Sequence, residues 1–297
     1  MRNHLKKLVI FTMLAFLVGA SGQALADSNH AFPVFRTGVG ARALGMGGAY
    51  VAVASDASAG FWNPAGLTGI ENFNLTSMLS ADMAYDRQHN YLALGYNFGN
   101  AGWGGISWVD MGINDLETRN TDGDLLGDFS ADDHGFLFSY ANALNDLMIG
   151  VSVKVAYQKI DDFSKTGLGL DAGVKYALSD NMHLGFVAQD LGTKIGDYKL
   201  PINFRFGLAA FAMEGFTFAA DINKVQDESK VKLHLGSEYD YEFADEYFGA
   251  IRAGISDGDF TVGAGLTVMS KYSLDYAYVE EGDFLGNNHR VSLTLSF

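Results

Sequence analysis

The sequence predicts an all-β fold: one antiparallel transmembrane β-barrel of fourteen strands. Three observations carry this. From residue 71 onward, apolar residues alternate with small or polar ones at period two, in segments of about ten residues separated by turn residues. The connections between segments alternate between tight turns and longer acidic loops, the layout of an outer-membrane barrel. The chain ends on an aromatic, with Val291, Leu293, Leu295 and Phe297 on one face, after opening with an export signal.

That signal is the first element in order. Arg2, Lys6 and Lys7 form a basic region, an apolar run covers 8–20, and Ala24-Leu25-Ala26 is an A-x-A cleavage site. The apolar run is too short for a spanning helix, which needs about 20 residues, so residues 1–26 read as a cleaved Sec signal. Cleavage removes three basic and no acidic side chains, shifting the net charge from −15 to −18. So acidic a protein repels nucleic acid, which is excluded as a partner. There is no cysteine, which removes disulfides, zinc-thiolate sites and thiol nucleophiles.

Prolines stand at 33, 64 and 201, so residues 71–297 hold almost nothing to interrupt a sheet ladder. Turn clusters divide this region into strands at 73–83, 88–98, 101–114, 133–143, 146–158, 166–177 and 181–190. Seven more follow at 201–212, 215–225, 230–240, 246–256, 259–268, 271–279 and 288–297. Tight turns centre on Gly99-Asn100, Leu144-Asn145, Ser179-Asp180, Met213-Glu214, Ala244-Asp245 and Met269-Ser270. The longer loops are 115–132, 159–165, 191–200, 226–229 and 280–287. A soluble sandwich would also alternate along its strands, but it has no reason to alternate its loop lengths.

If the apolar face meets lipid, the alternate positions line the lumen. They carry Lys154, Asp171, Lys175, Arg205, Asp221, Lys232, Glu238, Arg252, Asp275 and Arg290. An Arg or Lys facing hydrocarbon at the midplane costs about 2–4 kcal/mol, so both signs of charge belong inside, where they can pair. On the outer face Tyr157, Tyr176, Tyr272, Tyr276, Tyr278 and Phe297 fall near strand ends, as interfacial girdles do. Asn120, Asp122 and Asp124 have the spacing of the first EF-hand ligands, but Leu125 and Ala131 stand where glycine and a bidentate glutamate are required. The histidines show no metal spacing and no nucleophile elbow occurs, so no cofactor and no enzymatic activity are expected.

The stretch 38–67 remains. Gly38-x-Gly40-x-x-Ala43, with Asp56 downstream, approaches a dinucleotide fingerprint, yet a short proline-bearing segment precedes it and no βαβ pattern follows. The whole of 36–67 instead resembles the N-terminal segment of the PorV/PorQ family, which belongs with the FadL-type fatty-acid transport barrels. The resemblance rests on Arg36-Thr37-Gly38, on Ala41-Arg42-Ala43-Leu44-Gly45-Met46-Gly47-Gly48-Ala49, and on Ala57 to Leu67 with its Asn63-Pro64-Ala65-Gly66 element. It implies a fourteen-stranded barrel whose lumen is closed by a small N-terminal hatch, giving three parts: signal 1–26, hatch 27–70 and barrel 71–297. The residues agree, since small side chains let backbone approach backbone in a narrow lumen. The expected hatch motif is Arg42, Gly45, Gly47, Gly48, Asn63, Pro64 and Gly66, with Arg36 and Arg42 free to pair with lumen carboxylates.

Two functions follow from the resemblance. One is passive passage of hydrophobic small molecules across the outer membrane of a Gram-negative bacterium. Gly102, Gly104 and Gly105 then mark a place for a kink or lateral opening. The other is a partner-binding barrel of type IX secretion, engaging exported proteins through its extracellular loops. Either way the partners include outer-membrane lipid and the barrel assembly machinery, which would read the strand ending at Phe297.

Overall fold

The computed structural model describes residues 32–81, 87–280 and 287–297; the signal assigned to 1–26 lies outside them. The strands are β1 (Phe73–Ala81), β2 (Gln88–Asn97), β3 (Trp103–Arg119), β4 (Leu125–Leu144), β5 (Leu147–Ile160), β6 (Phe163–Ser179) and β7 (Met182–Ile195). They continue with β8 (Tyr198–Lys199), β9 (Asn203–Met213), β10 (Phe216–Val225), β11 (Val231–Ala244) and β12 (Tyr247–Ser256). β13 (Asp259–Val268), β14 (Tyr272–Glu280) and β15 (Asn287–Ser296) complete the set.

Each strand pairs antiparallel with its neighbours, and two pairings close the ring. β1 joins β15 from Asn74↔Ser296 to Ala81↔His289, and β6 joins β7. The two-residue β8 pairs with the end of β7 alone, while β7 itself passes on to β9, so the wall has fourteen strands. Closure leaves no sheet edge, so the backbone groups of the spanning region can be satisfied within the ladder. The fold is that of a Gram-negative outer-membrane β-barrel; among the described residues no helix is long and apolar enough to cross a membrane.

Period-two patterning becomes two faces. On β5, Val151 and Val153 are 51% and 45% exposed, whereas Ser152 and Lys154, which alternate with them, are 0% and 2% exposed. Exposed leucine, valine and phenylalanine repeat around the wall, a band that suits hydrocarbon. Aromatic rings gather where the tight turns lie. Phe297 packs on Phe73 and Tyr272, and Phe216, Tyr239, Tyr241, Phe243 and Tyr247 form a run of stacked and tilted rings across three strands. Tyr176 departs from the expected girdle, being only 2% exposed.

The structure lengthens one side of the barrel. β3 and β4 run to Arg119 and from Leu125, so most of the expected 115–132 loop is a hairpin. Its residues are open on both faces, which erases the alternation that reveals a strand. Backbone pairing carries it instead, through irregularities at Ile113/Leu116 and Thr118/Arg119. At its tip, the Asn120 carboxamide oxygen accepts from the Asp122 and Asp124 amides, closing the turn.

Residues 32–70 sit inside the ring. They form short turns of helix: a 3-10 turn at Pro33–Phe35, α1 (Ala41–Gly45), α2 (Ala59–Trp62) and a second 3-10 stretch at Pro64–Gly69. None is long enough to be stable alone. Their apolar side chains, from Phe32 to Ile70, form one buried cluster with inward residues of the strands, so the core of the molecule is the plug–wall contact.

Candidate functional site

Close approach is what lets the plug fit, and glycines on the wall supply it. Gly95 faces Gly105 across β2–β3, Gly150 faces Gly173 across β5–β6, Gly185 faces Gly207 across β7–β9, and Gly236 faces Gly254 across β11–β12. Each pair is a bare patch on the inner face with plug atoms seated in it. A Cβ on Gly185 would stand 2.6 Å from the Val51 carbonyl oxygen, one on Gly173 3.0 Å from Pro64 Cδ, and one on Gly254 2.7 Å from Gly47 Cα. The plug answers in kind. Gly47 (φ +65°) has backbone atoms of Leu235 and Ile255 at 2.6–2.7 Å from where its Cβ would lie, and Gly45 lies against Gly263. Gly66 packs on Ala54 and Ala59 within the plug itself.

Asn63 ties these parts together. Its carboxamide oxygen accepts from the Ala65 amide at 3.2 Å, capping the 3-10 turn that Pro64 begins. Its Nδ2 donates to the Val51 carbonyl at 3.0 Å and the Val174 carbonyl of β6 at 3.1 Å. All this occurs at zero exposure, over the Gly150–Gly173 patch.

Charged side chains form the second set of attachments. Arg42 of α1 binds Glu238 through two nitrogens at 2.6 and 2.9 Å, and Glu238 also meets Arg252, which reaches Asp275 at 2.8 Å. Burial works against the Arg42 charge, but Glu238 beside it, helped by Tyr50 and Asp56, outweighs that and raises its pKa. Burial also pushes the Tyr50 phenol up. Arg205 donates to the Gly48 carbonyl at 2.6 Å and approaches Asp221 at 3.3 Å, whose other contacts are the Tyr50 and Val51 amides. Lys175 donates to the Ala54 carbonyl at 3.0 Å. Lys154 bridges Asp171 and Asp190 at 2.9 and 2.8 Å, and Asp190 also receives Arg36 at 3.0 Å.

Asp190 is absent from the expected lumen set for a clear reason. In an unbroken strand it shares the outward parity of Phe186 and Ala188. The β6–β7 ladder is irregular there, and Asp190 adopts φ +63° at the bulge, turning the carboxylate inward. Arg290 is buried opposite Ser80 and Ala277, and Lys232 is half-buried on the inner face of β11.

The expected lateral opening is not at Gly102, Gly104 and Gly105. β3 pairs without interruption to β2 from Trp103 to Gly112, and to β4 from Trp103 to Ile113. These glycines answer to packing instead. Gly102 takes φ +92° at the tight turn, Gly104 lies against Phe98, and Gly105 completes a socket for Leu67. The dinucleotide pattern has no strand before it either. Asp56 accepts from the Ser58 amide and the Tyr50 hydroxyl, closing the approach to α2.

Among the described residues, cavities flank the plug on two sides. A vestibule of about 430 Å³ opens at the tight-turn end between α1 and strands β1, β14 and β15, lined by Ser, Thr, Asp56, Asp275 and Arg42. A smaller space of about 140 Å³ lies between Trp62, Phe61 and Phe35 of the plug and the inner wall of β7 and β9–β14.

No family model matches the chain, nor does any curated protein sequence. Solved structures do match in fold. The Ralstonia pickettii toluene transporter TbuX has a TM-score of 0.65 at 13% identity, over 88% of this chain and 98% of its own. The monoaromatic hydrocarbon channel CymD gives 0.64 at 14%, over 90% and 99%. A Pseudomonas aeruginosa FadL homologue gives 0.58 at 13%, over 87% and 98%. The architecture is therefore that of the FadL-type barrels, a closed wall of fourteen antiparallel strands around a small plug.

Proposed function

We propose that this barrel passes small hydrophobic molecules across the outer membrane without energy input, as a channel of the PorV/PorQ type. The observation that carries this is the shared architecture with toluene and monoaromatic hydrocarbon transporters, over nearly the full length of both chains. The aromatic-walled space behind Trp62 and the vestibule on the opposite side of α1 support an axial route in which the plug shifts and the wall stays closed. The test is uptake of radiolabelled toluene by a Gram-negative host stripped of its own hydrocarbon channels. Expression should raise the initial rate several-fold and leave uptake of a disaccharide unchanged. Equal rates with and without the protein would refute the proposal.

A second reading, engagement of type IX secretion substrates, is favoured by the tall side of the rim, where Leu125, Leu126 and Phe163 are 55%, 66% and 78% exposed. Shortening the β3–β4 hairpin should then abolish secretion of those substrates while hydrocarbon uptake persists.

A further inference from the structure

We propose that the 140 Å³ cavity is a binding site for a compact organic anion: an aromatic ring bearing a carboxylate. This rests on the transport reading and narrows its substrate class.

Size and wall chemistry suit a single ring. An apolar cavity of about 150 Å³ is known to hold one benzene molecule. Here Trp62, Phe61 and Phe35 supply flat apolar surface, and the Trp62 indole N–H is already satisfied by the Val39 carbonyl at 2.9 Å. An alkyl chain of ten or more carbons has no room in such a space.

The charge of the lining is the second argument. In a chain of net charge −15, this cavity is lined by Arg36, Arg205 and Lys232, and by no Asp or Glu among the described residues. Both arginines keep a carboxylate behind them, Asp190 and Asp221, which holds them in place. Lys232 makes no ion pair among the described residues, so one positive charge on this wall is uncompensated. Arg205 additionally lies over the Trp62 ring at 4.8 Å, bringing its charge to the aromatic surface. A carboxylate offers both an acceptor and a counter-charge to Lys232, and charge-assisted hydrogen bonds of this kind are about twice as strong as neutral ones. A neutral hydrocarbon supplies neither.

The experiment is calorimetric titration of the detergent-solubilised full-length barrel with benzoate, benzyl alcohol and decanoate. Benzoate should bind at least tenfold more tightly than benzyl alcohol, should weaken as salt rises, and should not be outcompeted by decanoate. Lys232→Met keeps the apolar stem and should cost benzoate about tenfold while leaving benzyl alcohol unchanged; Lys232→Arg should restore it. Heat-modifiable gel mobility confirms that each variant is a folded barrel. Equal affinity for benzoate and benzyl alcohol, tighter decanoate binding, or an unaltered Lys232→Met variant would overturn the proposal. Toluene uptake separates the two readings. Uptake without benzoate selectivity removes only this site, and selective binding without uptake removes only the transport function.

Discussion

At the scale of single residues, Asn63 and Glu238 do the most to hold the plug. Asn63 is buried and makes three hydrogen bonds that tie together two parts of the plug and strand β6. Asn63→Ala removes the side-chain partner of the buried Val51 carbonyl and of the Ala65 amide, and each stranded buried group costs about 1–3 kcal/mol. We expect a loss of about 3 kcal/mol, read as a lower urea midpoint for the tryptophan fluorescence of the barrel in lipid vesicles. Glu238 answers two guanidiniums at once, and its side chain is fully buried. Removing one member of a buried pair typically costs about 3–5 kcal/mol, because the remaining charge stays desolvated. Glu238→Gln should approach that cost, and the double variant with Arg252→Met should recover part of it in the same unfolding assay.

At the scale of elements, the plug and the wall are matched by missing side chains. Gly254→Val would push a side chain into the Met46–Gly47 turn from the inner face, leaving the lipid face untouched. The expected result is a folded barrel with a displaced plug, detected as raised ion current in a planar bilayer. Much of this was legible from residue order. Strand count and inward charges follow from parity and proline placement, because lipid and lumen impose opposite demands on alternate positions. The N-terminal plug follows instead from the resemblance at 36–67, with which its small residues agree. Parity failed where the ladder itself is irregular. Asp190 turns inward at a bulge that leaves no mark in hydrophobic pattern. The β3–β4 hairpin hides for another reason, since a strand wetted on both faces has no pattern to show. The glycine pairs carry a signal that could have been read, since Gly150, Gly207 and Gly236 fall at inward positions of their strands. Only the ring's register reveals that they face other glycines. The same lack of register made Gly102–Gly105 look like a weak point of the wall.

At the scale of the molecule, the plug and the ring share one core, so neither is a separate folding unit. Deleting residues 32–70 exposes four bare glycine patches and buried charges of both signs to the lumen. We expect such a protein to insert, to show steady ion conductance absent from the intact protein, and to unfold at lower urea.

The seam between β1 and β15 fixes an order of events in time. Its side-chain bond from Asn74 to Ser296 spans 222 residues of chain, and the plug precedes β1 while touching strands all around the ring. Contacts of such long separation form slowly. The segment that fills the lumen is therefore exported first and enclosed last. Until the first and last strands meet, the chain presents two open edges and an uncovered apolar core to the periplasm. A delay in completing the C-terminal strand should thus be read out as proteolysis near residues 32–70, far from the strand that is late.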